Sequence, residues 1–481
     1  MPLEKRKKNM SDIIQNMSDI FQNTSEIIFL RQHTLKEHNI TGRKIPVMFF
    51  YALPVFSLAA HTASQAQIFI LSLHVFCKRT INLSIMSKYN FNTVIDRRGT
   101  DSVSLEGMKR QTGRDDLMPM WVADMGFATP PFVFKAIEKR LGQQILGYTC
   151  APERYYTAIE EWNKKRFGMD TPDKTIHYIP GIVPGLAFAV NALTEKGNGV
   201  MIMTPVYHPF NHVTVTSGRT LVEVPLKLVD GRYEMDYENI DRRLPECKML
   251  ILCNPHNPGG TSWSEDELRR LADLCAKHHV IIVSDEIHAD LTLAGHKHVM
   301  MASVSDTARD ITVTMMAPTK AFNLPGVVAS HTIIFNDSLR RRFFSYLDGN
   351  DLGLGNVFAY DCVCACYSAE GEEWLNEMLG YVQENISYVL SFLSQHCPKI
   401  TAIRPEASFL VFLDNHKLGL ESQKEIVDFY INDARLFLND GEMFGAPGRG
   451  YMRMNVAQPR CVIEKAMNQL AEAYRKRGFD K

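Results

Sequence analysis

The stretch that decides the fold is Ile311–Gly326, "ITVTMMAPTKAFNLPG". Its first half, rich in Thr, Val and Met, reads as a short buried strand. Pro318, Lys320 and Gly326 then mark a turn. A loop lysine is ordinarily a solvated ammonium. A lysine just past a buried strand can instead be an amine in an apolar pocket, with a lowered pKa and the ability to form an imine with a carbonyl. The rest of the chain decides between these readings.

Other strands and helices alternate around it. "GVMIMTPVY" and "TLVEVPLKLVDG" read as strands, and "KMLILCNPHNPGG" as a strand running into a Pro/Asn/Gly turn. "SEDELRRLADLCAKHH" is an amphipathic helix with a capping box from Ser264 to Glu267. "VIIVSDEIH" is a continuous apolar strand that ends in two carboxylates. Apolar strands separated by helices indicate an α/β fold, a mostly parallel sheet covered on both faces. Ligands of such sheets lie beyond the carboxyl ends of the strands. From Glu372 the pattern changes to a long helix, "EEWLNEMLGYVQENISYVLSFLSQHC", followed by a smaller α/β region. The expected organisation is a segment 86–130 of a small domain, a large domain 131–371 and the C-terminal small domain 372–481.

Residues 1–85 read differently. They hold two "MSDI" copies, starting at Met10 and Met17, and an uncharged run at residues 46–77. Pro54 and the polar "HTASQAQ" interrupt that run, which argues against a spanning helix of about 20 apolar residues. The reading adopted is a poorly ordered extension or a start upstream of the native one, with a membrane or targeting segment as the alternative.

Lys plus Arg total 53 and Asp plus Glu 54, so there is no electrostatic reason to expect nucleic acid as a partner. Ten cysteines without CxxC pairs or zinc spacing read as small core residues of a reduced, cytoplasmic protein. That set includes Cys362, Cys364 and Cys366.

Several strand ends carry groups suited to one kind of ligand. Asp285 follows the buried "VIIV", where a carboxylate is costly unless a cation pairs with it. Asn254 and Asn257 lie in the turn "NPHNPGG", where an amide can donate to a phenolate, although Asx-turn chemistry alone accounts for such residues. Tyr207 in "TPVYHPF" is placed to stack on a flat ring. "YIPGIVPGLAFAV" runs from Gly181 into a helix start whose N–H groups can hold a phosphate. Arg453 in "GYMRMNVAQP" can grip a carboxylate bidentately.

In that order, from Met86 to the C-terminus, the chain resembles the fold-type I pyridoxal-phosphate enzymes of the class I/II aminotransferase superfamily. "PMWVADMGFATPP", "GYT", "GIVPG", "PVYHPF", "NPHNPGG", "SDEIHADL" and "TKAFNLPG" are together similar to the MalY/PatB group of cystathionine β-lyases, the C–S lyases. The resemblance implies an aspartate-aminotransferase-like fold with pyridoxal 5'-phosphate as cofactor. It implies that Lys320 carries the cofactor as an imine, Asp285 pairs the ring nitrogen, Tyr207 stacks on the ring and Asn257 bonds O3′. Val183, Pro184 and Thr319 would contact the phosphate, joined by Tyr148 from the other subunit of a homodimer. His288 would lie against the cofactor, where plain aminotransferases usually have Tyr. Arg453, with Ala123 and Asn257, would bind the amino-acid substrate.

The implied reaction is β-elimination of L-cystathionine or cysteine S-conjugates to a thiol, pyruvate and ammonia. An aminotransferase, or a lyase that also binds a transcription regulator, are the alternatives. Two departures stand out. Gly126 replaces the acid of the usual "WVADMDF", and Val328 stands where many aminotransferases have a basic phosphate ligand. Phosphate binding would then lean on backbone amides, Thr319 and Tyr148.

Overall fold

Seven strands build the main sheet: β1 (Ile176–Ile179), β2 (Gly199–Thr204), β3 (Thr220–Pro225), β4 (Cys247–Cys253), β5 (Ile281–Asp285), β6 (Thr312–Met316) and β7 (Ser330–Ile334). The computed structural model describes residues 88–481, within a unit spanning Ser87–Lys481. The readings made for residues 1–85 lie outside the described residues.

The sheet order is β1-β7-β6-β5-β4-β2-β3. Only β7 runs against its neighbours β6 and β1; the other pairs are parallel. Burial on both faces explains the unbroken apolar runs. Val200, Ile202, Met249 and Ile251 pack with Leu186 and Val190 of the helix Ile182–Leu193. Their alternates Met201, Met203, Leu250 and Leu252 pack with Leu268 and Leu271 of the helix Glu265–Lys277. That second helix starts in the expected capping box between Ser264 and Glu267.

Register places the chemistry. Cys253 of β4 lies opposite Asp285 of β5, and Asp285 opposite Met315 of β6. The turns that follow these strands, with Asn257, His288 and Lys320, therefore open at one edge of the sheet. Since β1 runs in the same direction as β6, Gly181 and the start of the helix Ile182–Leu193 open there too.

A second sheet, β8 (Thr401–Ile403), β9 (Leu410–Asp414), β10 (Asn439–Asp440) and β11 (Tyr451–Asn455), is antiparallel in the order β8-β9-β11-β10. The long helix expected after Glu372 is Ala369–His396, capped by the Ser368 side chain. Residues two apart on a strand share a face. Arg453 and Asn455 of β11 accordingly both reach the segment 120–127, "MWVADMGF". Asn455 Nδ2 donates to the carbonyls of Val122 (2.7 Å) and Asp124 (2.6 Å). From the main sheet, Asn323 accepts from Met125 N (2.9 Å) and donates to the carbonyls of Met125 (3.1 Å) and Phe127 (2.7 Å). Asn323 holds φ 53°, a left-handed conformation that asparagine tolerates. The segment is thus pinned from both sheets.

Gly126 sits inside this clasp. A Cβ there would fall 2.0 Å from Gln458 Oε1 and 3.2 Å from Pro459 Cδ. The place an acid side chain would occupy is filled by the Gln458 amide, which gives the departure at this position a steric reason. Gly126→Asp is expected to cost about 1–2 kcal/mol, because Gln458 must leave its rotamer. In a double-mutant cycle followed by urea unfolding, Gln458→Ala should remove most of that cost. Additive losses would contradict the steric account.

Candidate active site

Lys320 follows β6 in the turn that begins at Pro318. Its Nζ donates to the Ala123 carbonyl at 2.7 Å. Burial first, and the Arg453 charge second, lower its pKa to about 8 against the opposing charges of Asp124 and Asp285. It is therefore an amine with a substantial neutral fraction near neutral pH.

The two carboxylates that end β5 and begin the next turn have different fates. Glu286 is fully partnered: it accepts from Ser284 Oγ (2.8 Å) and Met301 N (3.0 Å) and lies 2.7 Å from His298 Nε2. Asp285, 4% exposed, accepts among the described residues only from Ile287 N at 3.1 Å. Desolvation pushes its pKa up to about 7. A cationic ring nitrogen beside it would reverse that shift.

Arg453, 5% exposed, is pre-aimed by a polar shell. Its Nη2 donates to Asn439 Oδ1 (2.5 Å) and the Trp121 carbonyl (3.0 Å), and Nη1 to Asn257 Oδ1 (3.0 Å). Its plane lies over the Phe444 ring, 4.9 Å from the centroid. Burial pushes the guanidinium down to about 10, still charged at neutral pH. The buried Nε has no partner among the described residues, and Nη1 makes one of its two possible bonds, so two donors are left for an incoming anion. Asn257 is oriented twice: its carbonyl oxygen by Arg453, and its backbone N–H by Cys253 Sγ at 3.3 Å. Its Nδ2 donates to no partner among the described residues.

Tyr207 is half-buried just beyond β2, and burial and the Asp285 charge raise its phenol pKa. His288 is buried with Nδ1 unpartnered; desolvation and the Lys320 and Arg453 charges bring it down to about 3, so the imidazole is neutral.

Val183 and Pro184, expected in a turn, are in the first turn of the helix Ile182–Leu193. Pro184 has no N–H to give, so the donors at this terminus are those of Ile182 and Val183. Gly181 enters the helix at φ 110°. Val328 lies beside it: a Cβ on Gly181 would be 3.6 Å from Val328 Cγ1. The position eight residues after the lysine is therefore at this cup, as an apolar wall and not a cation. Thr319 is buried in the lysine turn, and Tyr148 is fully exposed on a segment without helix or strand.

The pyridoxal phosphate implied by the resemblance fits this donor set. A buried acid suits the ring nitrogen, a spare amide donor suits O3′, a helix N-terminus suits the phosphate and an amine suits the aldehyde. Asn323, Asn455, Asn439 and Cys253 act by holding these groups, and they were not singled out from sequence. Asn323 and Asn455 lie within motifs legible in the sequence, but their partners are remote in the chain. Two of the cysteines read as core, Cys150 and Cys461, are exposed; the nine described cysteines are all free.

The family model for aminotransferase class I and II matches residues 116–470. The chain is 39% identical over 386 residues to cystathionine beta-lyase PatB of Bacillus subtilis, covering 80% of this chain and 99% of that one. Among solved structures it resembles a PLP-bound putative aminotransferase from Clostridium difficile (37% identity, TM-score 0.78, 80% and 100% covered). It also resembles a PLP-bound C–S lyase from Staphylococcus hominis (34% identity, TM-score 0.75, 80% and 98% covered). The chain belongs to the class I and II aminotransferase family.

Proposed function

We propose that this protein is a pyridoxal-phosphate-dependent C–S lyase of the cystathionine β-lyase type. The observation that carries the reading is the joint placement of a free amine, an unpaired buried acid and an oriented guanidinium at one sheet edge. The relative named a cystathionine beta-lyase supports the lyase branch. The family likeness to a putative aminotransferase supports the second reading, amino transfer, which would use the same groups.

When bound, pyridoxal phosphate supplies an electron sink that stabilises negative charge at the substrate Cα. The chain supplies placement and proton handling. Asp285 would pair the ring nitrogen and favour its protonated form. Asn257 Nδ2 would donate to the ring oxygen, and Tyr207 would stack on the ring. The helix start at Ile182 and Val183, with Thr319, would hold the phosphate. Arg453 would bind the α-carboxylate. Lys320 would hold the cofactor, and its amine, neutral in part, would be the base for the Cα proton. Ala123 and Asn257 line the substrate's path. Net elimination from L-cystathionine consumes water and yields homocysteine, pyruvate and ammonia.

Residues 131–371 are assigned to cofactor binding, with 86–130 and 372–481 as the part that brings Arg453 to it. The exposed Ile145, Leu146 and Tyr148 suit a homodimer in which Tyr148 reaches the partner's phosphate site. Among the described residues no helix is long and apolar enough to cross a membrane; a cytoplasmic location is proposed with the free cysteines in support.

Incubation with L-cystathionine and no keto acid should release pyruvate and homocysteine in equal amounts. A strict keto-acid requirement would sink the lyase reading. Arg453→Lys should lower kcat/KM by about 30- to 1000-fold, since loss of a charge-assisted fork is worth about 2–4 kcal/mol. The cofactor absorbance should survive, because Arg453 serves the substrate; a loss explained by missing cofactor would remove Arg453 from this role. In cofactor-free protein, competitive acetylation followed by peptide mapping should titrate the Lys320 amine near pH 8, reactive above and protected below. A midpoint above about 10, that of a solvated lysine, would contradict the pocket.

A further inference from the structure

The helix Ala369–His396 buries an apolar side that includes Val382, Ile386 and Val389, and among them stands one amide, the fully buried Asn385. Asn385 Nδ2 donates to the carbonyls of Val456 (3.0 Å) and Gln458 (2.8 Å), and its Oδ1 accepts from Arg460 Nε at 2.9 Å. Arg460 opens the helix Arg460–Lys476. Its backbone N–H is taken by Tyr381 Oη at 2.7 Å, and its guanidinium lies 4.8 Å from the centroid of the Tyr388 ring. The guanidinium is therefore fixed at its stem, while both Nη groups have no partner among the described residues.

Those Nη groups belong to a groove of about 720 Å³, lined by Arg460, Glu384, Ser387, Tyr388 and Ser391, with the small residues Gly380 and Ala294 in its wall. Glu384, Ser387, Tyr388 and Ser391 recur at three- and four-residue steps and share one side of their helix. Exposed Glu384 makes no hydrogen bond or ion pair among the described residues, with Arg460 or any other group. The groove thus offers one cation and one acid that do not pair with each other, and no third charge. None of its residues is among those placed around Lys320. The same Asn385 that fixes Arg460 also holds the turn whose Gln458 amide fills the space at Gly126, so the groove is anchored on the part of the chain that clasps the segment 120–127.

We propose that this groove is a second binding site, separate from the Lys320 site, for a free α-amino acid with an uncharged side chain. The carboxylate sits on the Nη edge of Arg460 and the ammonium on Glu384, which gives each charge of the groove its missing partner. The side chain runs along Tyr388, where no further charge has to be met.

The bland alternative is that Arg460 only ties Asn385 and stacks on Tyr388, and that the groove holds solvent. Titration calorimetry on borohydride-reduced holoenzyme, whose cofactor can no longer exchange its imine with an added amine, separates the two. The probes are L-norleucine (both charges, no leaving group), hexanoate (carboxylate) and pentylamine (ammonium). Saturable binding of one norleucine per chain is expected, with hexanoate and pentylamine each weaker by about 10-fold or more. Glu384→Gln should weaken norleucine by about 10-fold or more and spare hexanoate, whereas Arg460→Ala should weaken both. Glu384 is tied to nothing among the described residues, so its variant reports on the site independently of any effect of Arg460→Ala on folding. Arg453→Lys should leave norleucine binding unchanged, which separates the groove from the substrate pocket, and Glu384→Gln should keep wild-type turnover when norleucine is absent. Norleucine that does not saturate, hexanoate that binds as tightly as norleucine, or binding that falls with Arg453→Lys and not with Glu384→Gln, would overturn the site.

Discussion

The active site depends on one contact, the Lys320 amine against the Ala123 carbonyl. The sheet can deliver a lysine to its edge, but it cannot by itself keep an ammonium in an apolar setting. The segment 120–127 supplies the acceptor, and among its ties are Asn323 from the main sheet, Asn455 from β11 and backbone hydrogen bonds of Met120 and Gly126. Arg453 binds the same segment through Trp121. The groups proposed for cofactor, proton transfer and substrate are therefore tied into one polar network, and a buried network of this kind holds geometry only when its members are satisfied.

Within that network the charges are deliberately unequal in their partners. Glu286 is saturated by Ser284, His298 and Met301, and reads as structure. Asp285, one residue earlier and on the opposite face of the strand end, has a single N–H donor and a carboxyl pushed up to about 7. Arg453 is held by neutral oxygens of Asn257, Asn439 and Trp121, so its charge is oriented without being neutralised. Among the described residues Asp285 has no ion pair and Arg453 no anion in hydrogen-bond contact, so both buried groups are poised for a ligand that brings the missing charges.

Much of this was legible in the sequence, because chemistry in an α/β sheet collects where apolar runs stop. Asp285, Asn257, Tyr207 and Lys320 could be found as polar residues at the carboxyl ends of strands, and the Ser264 capping box was local enough to read directly. What escaped were partners far apart in the chain. Asn455 and Val122 are separated by 333 residues, and no periodicity connects them. Gln458 filling the space at Gly126 is likewise a contact of the folded state only. The helix start after Gly181 was legible too, and the structure puts its free N–H groups on Ile182 and Val183, since Pro184 has none.

The central claim is that Lys320 is the residue that carries the cofactor. Borohydride reduction of the purified holoenzyme, followed by peptide mass mapping, tests it most directly. The account requires a pyridoxyl label on the peptide containing Lys320 and loss of the visible cofactor band in proportion to labelling. A label on any other lysine, or a band that persists with Lys320 unmodified, would contradict it.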